Sequence, residues 1–295
     1  MKLLVAGTAV QDTIIENGKV TKSPGGISYT LTALKSFAGA DDELWVATVL
    51  PKEIPSEMKP VFKDIKYYKV SPASSFPSVT LTIHKERERD EVFDFCDIPL
   101  DVPLNGLGNF DGLLVNMITG FDLTLESLRE VRRNFSGIIY VDIHTLARGL
   151  DASNRRIFRP VPEAEEWLKN TDIVQCNENE LQMLSPLKSH NLIADFVLSC
   201  GVKYLLVTLG ADGAKMYFRE KGDLRSVYLS PVKTRTVTAV GCGDVFGAAF
   251  FYYFVKEKNA VTSLYAAVKY SGLATGYNSV YDLINLKKDA ISRPD

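Results

Sequence analysis

The amino-acid sequence predicts an α/β fold: a mostly parallel central sheet flanked by helices, with a small second β-sheet set apart from it. Three observations carry this expectation. Short apolar runs and helical patterns alternate through the middle of the chain, at residues 113–116, 124–134, 138–142, 173–176, 178–184 and 204–208. This is the rhythm of parallel strands joined by crossover helices. Elsewhere the period changes to two, around Asn17-Gly18 and after Ser78, as half-exposed strands of a hairpin require. Finally, residues 245–254 read as a helix that is apolar on every side, which belongs in an interior. No repeat, low-complexity segment or linker divides the 295 residues, so residues 1–295 are expected to form one domain.

In chain order, residues 3–6 are a buried strand closing at Gly7. Residues 12–16 and 19–22 flank Asn17-Gly18, a two-residue hairpin signal. Asp12 stands at the mouth of the first strand, where position alone favours a solvated side chain over one facing a ligand. Ser23, Pro24, Gly25 and Gly26 lead into a helix that runs to about Ala38 and stops at Gly39. The paired glycines leave bare backbone at a helix start, which suits a plain loop or close approach to a polyol. Residues 44–50 read as a core strand and 56–65 as a surface helix.

From Ser78, Val79, Leu81 and Ile83 alternate with Thr80, Thr82 and His84. The charged run KERERDEV (residues 85–92) follows, then Phe93 and Phe95, a hairpin whose tip is read as solvated and given no chemical role. Strands from about residues 12–22 and 78–96 would make the small sheet, a candidate lid or dimer surface. Residues 215–218 and 227–229 form a further hairpin across Gly222, and residues 261–276, rich in Ala and Gly, a last helix able to pack closely on the one after Gly243.

Composition bounds the function. The formal net charge is −2, which gives no electrostatic case for nucleic acid or an anionic membrane. No apolar run approaches the ~20 residues of a membrane span, and the N-terminus lacks the shape of a signal peptide, so a cytoplasmic protein is expected. Cys96, Cys176, Cys200 and Cys242 are scattered without a Cys-x-x-Cys pair and read as reduced thiols. His84, His144 and His190 share no metal-ligand spacing.

Several polar residues fall at the ends of the apolar runs: Asp142, Asn177 with Glu180, and Thr208 with Gly210. Ligands of open α/β sheets bind beyond the carboxyl ends of the strands, so this series suggests a cleft. An extended run from Thr236 ends in Gly241, Cys242 and Gly243, and Asp244 then opens the apolar helix. Free N–H groups and the positive dipole end would point into an interior site, with glycines allowing an anion to approach closely. Asp244 is there either a helix cap or a base. Phosphoryl transfer needs little more than such positioning, charge neutralisation and a carboxylate near the acceptor hydroxyl. Asn177 and Glu180, one turn apart, can face one metal or its water shell, although an Asn capping a helix is the plainer reading. No G-x-x-x-x-G-K-[ST] string is present, and the G-x-G-x-x-x-G spacing at Gly241, Gly243 and Gly247 is late and wrong for a dinucleotide fold.

Residues 240–246, VGCGDVF, resemble the C-terminal signature of the ribokinase-like (PfkB) carbohydrate kinases, usually DTTGAGDAF. Gly25 and Gly26 with their helix are similar to the family's N-terminal glycine signature, and Asp12 falls where the family places a substrate-binding aspartate. Asn177 to Glu180 matches its N-x-x-E motif, and TLGADG, Thr208 to Gly213, its nucleotide-binding turn. The matches follow the family's order across nearly the whole chain.

The resemblance implies a ribokinase-like fold and an ATP- and Mg2+-dependent kinase acting on a hydroxyl of a sugar or sugar-like substrate. It implies Asp244 as general base, with the N–H groups of Gly241, Cys242 and Gly243 as anion hole. Asp12, Gly25, Gly26 and the position of Thr30 would hold substrate, Thr208, Gly210 and Gly213 the nucleotide, and Asn177 and Glu180 magnesium through water. The small sheet would be the lid, which in many relatives also makes the dimer. Three departures stand out: Thr238 replaces the signature's first aspartate, Thr30 an asparagine, and His144 the asparagine expected after Asp142. Thr238 and Thr30 motivate an alternative, a nucleotide- or sugar-binding protein without catalysis on the same fold.

Overall fold

The computed structural model describes residues 1–84, 89–95, 98–232 and 234–292. Cys96 and the tip at residues 85–88 lie outside the described residues. The main sheet has nine strands, in the order β15-β14-β13-β12-β9-β8-β1-β4-β5. These are β1 (Lys2–Ala6), β4 (Glu43–Pro51), β5 (Lys66–Ala73), β8 (Gly112–Asn116), β9 (Ile138–Asp142), β12 (Ile173–Asn177), β13 (Tyr204–Thr208), β14 (Ala214–Glu220) and β15 (Asp223–Leu229). Pairing is parallel from β5 to β13, and the β13–β14–β15 edge is antiparallel.

Alternation along β1 explains the two cores. Leu3 and Val5 enter one apolar cluster with α1 (Ile27–Phe37), α7 (Cys242–Glu257) and α8 (Ala260–Ala274). Leu4 and Ala6 enter the other, with α3 (Leu125–Asn134), α4 (Ala164–Lys169) and α6 (His190–Ser199). A sheet covered on both faces has continuous apolar strands, as residues 113–115 and 139–141 show. Helix α7 is buried on all sides, among β9, α1 and α8, as its lack of a polar face requires. Gly247 lets it approach the sheet: a Cβ there would lie 2.7 Å from Gln175 Oε1.

The second sheet has the order β3-β2-β6-β7, from β2 (Ala9–Glu16), β3 (Lys19–Gly26), β6 (Ser78–Thr82) and β7 (Asp90–Phe95). Val79, Leu81 and Phe93 turn its buried face towards the end of the main sheet. The free edge of β7 is fastened to the body by the hairpin of β10 (Arg148–Leu150) and β11 (Arg156–Phe158): Phe93 N donates to Asn154 O at 3.1 Å, and the Arg156 guanidinium lies 4.3 Å from the Phe93 ring.

Three expectations are corrected. The surface helix over residues 56–65 shrinks to α2 (Lys59–Phe62), because Pro55 and Pro60 interrupt it and Val61 and Phe62 turn inward. The helix over 178–184 is the short α5 (Glu178–Leu181). The run before Gly241 is irregular rather than a strand. Among the described residues no helix is long and apolar enough to cross a membrane. Cys176 is buried, and Cys200 and Cys242 are half-buried, all three free.

Candidate active site

The carboxyl ends of four neighbouring strands carry Asn116 (β8), Asp142 (β9), Asn177 (β12) and Thr208 (β13). Register sets Asn116 beside Asp142 and Asn177 beside Thr208, so the polar edge read from sequence is one continuous row. The second sheet arches over this row, and between them lies a cavity of about 560 Å3. Asp12, Gly26, Asn177, Glu180, Thr208, Gly210, Gly213 and the turn Gly241–Asp244 all line it. Gly25 and Thr30 do not reach its surface.

Helix α7 begins one turn earlier than expected. Gly241 is its cap, at φ 81°, and Asp244 is the third residue of the helix rather than its cap. Glycine is required at 241 twice over, because a Cβ would also sit 2.1 Å from the Tyr29 ring. Cys242 N donates to Ala239 O at 3.3 Å, whereas the amides of Gly243 and Asp244 lie in the first turn, where helix geometry supplies no partner. Asp244 is thus released from capping. Its Oδ1 accepts from Asn116 Nδ2 at 2.6 Å. Burial raises its pKa above the usual carboxylate range, opposed by Asn116, His144 and Arg89.

Asp12 overturns the solvated reading. It is 3% exposed, because β2 pairs with both β3 and β6 and its side chain turns under the second sheet. Among the described residues its carboxylate has no hydrogen-bond partner, and burial pushes its pKa up to about 8, with Arg89 opposing. Gly25 serves Asp12 from behind: a Cβ at 25 would fall 2.0 Å from Asp12 Oδ1. Gly26, at φ 56°, has Thr8 O at 2.4 Å from where its Cβ would stand.

The charged run also contributes. Period-two alternation puts Glu91 opposite Leu81 and on the buried face with Phe93, leaving it 3% exposed. Its Oε1 accepts from Arg89 Nε at 2.9 Å and lies 3.7 Å from Arg148 Nη1 and 3.9 Å from His144 Nε2. Burial would raise its pKa, but these cations outweigh that and hold it at about 2. Glu180 mirrors it: Oε1 meets His144 Nδ1 at 2.8 Å and Arg148 Nη2 at 3.3 Å. Burial and Arg148 work to lower the His144 pKa, and the two glutamates reverse that to a net rise. Asp142, pushed up to about 7 by burial and by Glu180, accepts from Gln175 Nε2 at 3.0 Å. The same Nε2 holds Gly243 O at 3.0 Å, so the strand-end row braces the glycine turn.

The plainer reading of Asn177 and Glu180 is present in full. Asn177 Oδ1 accepts from Glu180 N at 2.9 Å, and Glu180 Oε2 accepts from Asn177 N at 2.8 Å, a capping box. With both carboxylate oxygens engaged, the pair does not form a direct metal cage, and no group of three or more ligating side chains does so among the described residues. Both residues line the cavity, and their oxygen chemistry fits a Mg2+ ion that retains its own waters. Val232, Val268, Ala211 and Gly272, with Thr208 and Thr275, add a largely apolar wall to the same cavity. The first turn of α7 lines that cavity too, a combination that fits a nucleoside and its phosphates. Thr238 faces a second cavity, of about 440 Å3, behind Gly241, and its Oγ1 accepts from Val240 N at 3.2 Å.

Comparison with known proteins agrees with this geometry. Residues 145–286 match the model of the pfkB family carbohydrate kinases. An uncharacterized sugar kinase of Archaeoglobus fulgidus is 35% identical over 101 residues, which is 34% of this chain and 38% of that protein. The matched stretch thus spans well under half of that relative. Among solved structures, a pyrophosphate-dependent kinase of the ribokinase family superposes with a TM-score of 0.79 at 15% identity, covering 99% of both chains. A ribokinase of Thermotoga maritima gives 0.74 at 18% identity, covering 98% of both. The fold is thus ribokinase-like over the whole chain. Residues 145–286 carry the match to the pfkB family carbohydrate kinases.

Sequence reasoning missed Arg89, Glu91, Arg148 and Gln175 as site residues, and named Asn116 only as a strand end. For Glu91 the signal was available: it stands two residues before Phe93, on the face that the alternation turns inward.

Proposed function

We propose that this protein is a kinase that transfers a phosphoryl group to a hydroxyl of a sugar or sugar-like polyol, with ATP as donor and Mg2+ as cofactor. One observation carries the reading: Asp244 is a half-buried carboxylate in the open first turn of α7, lining the cavity, and its hydrogen-bond partner among the described residues is the Asn116 amide rather than a cation. A carboxylate so placed accepts a proton from a hydroxyl held within reach, while the amides of Gly243 and its neighbours hold the phosphoryl oxygens.

Asp12, facing the same cavity without a hydrogen-bond partner among the described residues, binds further hydroxyls of the polyol, and Gly26 and Asn116 border them. The lid residues Val79, Leu81 and Phe93 shield the acceptor from water. Thr208, Gly210 and Gly213 border the nucleotide. Asn177 and Glu180 would hold Mg2+, which when bound would neutralise the phosphate charge. Thr238 lies off the main cavity, so its departure from the family's aspartate leaves the base and glycine turn intact.

The test is consumption of ATP with Mg2+ against a panel of sugars, sugar acids and ribosides, beside Asp244→Asn. Turnover of one class, lost by about 1000-fold or more in the mutant, is expected. Turnover that survives in Asp244→Asn defeats the proposal.

A further inference from the structure

Asn116 closes β8 at the cavity wall and is 2% exposed. Its Nδ2 faces two oxygens: Asp244 Oδ1 at 2.6 Å and Thr30 Oγ1 at 3.0 Å. Its Oδ1 is buried with no partner among the described residues. These contacts fix which way the amide points, because turned over it would set one acceptor against another at the shorter distance. Thr30, from α1, is 0% exposed and so cannot itself touch a ligand. Its hydroxyl is the second support of the Asn116 amide.

We propose that Asn116 is the positioning residue for the base, tying down Asp244 Oδ1 so that Oδ2 alone meets the acceptor hydroxyl, and that Thr30 locks the amide in that role. The proposal rests on Asp244 acting as the base. In the reaction the acceptor O–H bond breaks and its proton passes to Oδ2. The acceptor oxygen forms the new O–P bond, and the bond from phosphorus to the donor's leaving oxygen breaks. Holding Oδ1 prevents the carboxylate from turning its engaged oxygen towards the substrate, and a donor hydrogen bond stabilises it as an anion until the proton arrives.

The residue type follows from the neighbours. Register sets position 116 beside Asp142, so an acidic residue there would place a third carboxylate between Asp142 and Asp244. An amide donates without adding charge. Other groups also act on Asp244: Arg89 just before β7, His144 beyond β9, Asp142 ending β9, Asp12 on β2, Tyr29 on α1 and Cys242 on its own helix. All of these remain when position 116 or 30 is changed.

The test reads Asp244 directly. In protein labelled with 13C at aspartate carboxyls, the Asp244 resonance is assigned by its loss in Asp244→Asn and then titrated. Asn116→Ala is expected to move its midpoint up by about one pH unit. Thr30→Val should move it in the same direction by less, and Thr30→Ser, which keeps the hydroxyl, should reverse most of that movement. Where Asn116→Ala does not fold, Asn116→Ser, too short to reach Asp244, carries the same expectation.

In turnover, kcat should fall about 10- to 100-fold, with its acid limb displaced to match and KM changed by less than about threefold. An unmoved midpoint in Asn116→Ala overturns the proposal, as does a raised KM at constant kcat, the signature of a substrate contact. A moved midpoint in a protein that turns over nothing at all counts against the kinase reading and leaves the tie between Asn116 and Asp244 standing.

Discussion

Asp12→Asn should stabilise the protein while removing its affinity for a polyol. Asp12 sits under the second sheet without a hydrogen-bond partner among the described residues, and its pKa rises from 3.8 to about 8 on folding. Above 3.8 the unfolded chain has released this proton while the folded chain retains it. Raising the pH therefore favours unfolding, and the loss saturates only above pH 8. At 1.36 kcal/mol per pKa unit, the cost reaches about 4 kcal/mol at pH 7. Asparagine has the same shape and no ionisation, so it avoids this cost. In calorimetric melts the Tm of Asp12→Asn relative to wild type should climb between pH 5 and pH 8, to a gain of about 8 °C. Binding of the sugar that serves as substrate should weaken by at least about 100-fold in the same variant. A Tm difference that stays flat across this pH range would refute the reasoning, since no other feature of Asp12 varies with pH in that direction.

Two further outcomes follow from local geometry. Gly241→Ala forces a side chain into left-handed backbone and against Tyr29, so it should cost about 3 kcal/mol in urea unfolding and lower turnover by about 100-fold as the first-turn amides move. Glu91→Gln removes the ion-pair partner of Arg89 and one of the two buried glutamates that face Arg148 and His144, and should destabilise by about 3 kcal/mol at pH 7. Because folding depresses the Glu91 pKa to about 2, its contribution is complete above 4.5 and fades as pH falls towards 2; equal destabilisation at pH 7 and pH 3 would contradict the assignment.

What the sequence discloses follows from how local each signal is. Helix α7 and the strand ends Asp142, Asn177 and Thr208 are legible because burial on all sides and strand periodicity act within one element. Asn17-Gly18 is legible because both residues adopt positive φ, 49° and 78°, which a two-residue hairpin turn demands. The roles of Arg89 and Glu91 depend on cations from β10 and on His144, more than fifty residues away, which no local pattern encodes. Charge density suggested solvent; the network neutralises it instead. Thr30 shows the same limit from the other direction. Its place in the glycine signature suggests a ligand contact, and only the packing of α1 beneath β8 reveals a side chain that supports Asn116. Residues 66–73, KYYKVSPA, lie mostly exposed or half-buried at the sheet edge, and their strand character comes from pairing with β4 rather than from an apolar face.

The placement of Asp244 also separates catalysis from binding alone. A protein that merely held nucleotide and polyol would be served better by an amide at 244, because a carboxylate beside the first-turn amides repels the phosphate those amides attract. Burial adds to the disadvantage by opposing its ionisation. The charge is useful only where a proton must be taken up. Asp244→Asn should therefore bind ATP more tightly than wild type, by about 3- to 10-fold, although it turns over none. Isothermal calorimetry on the two proteins, without acceptor, decides the matter. Equal or weaker binding by the amide variant would mean that the carboxylate does not face the phosphates, and the reading of Asp244 as the base would fail with it.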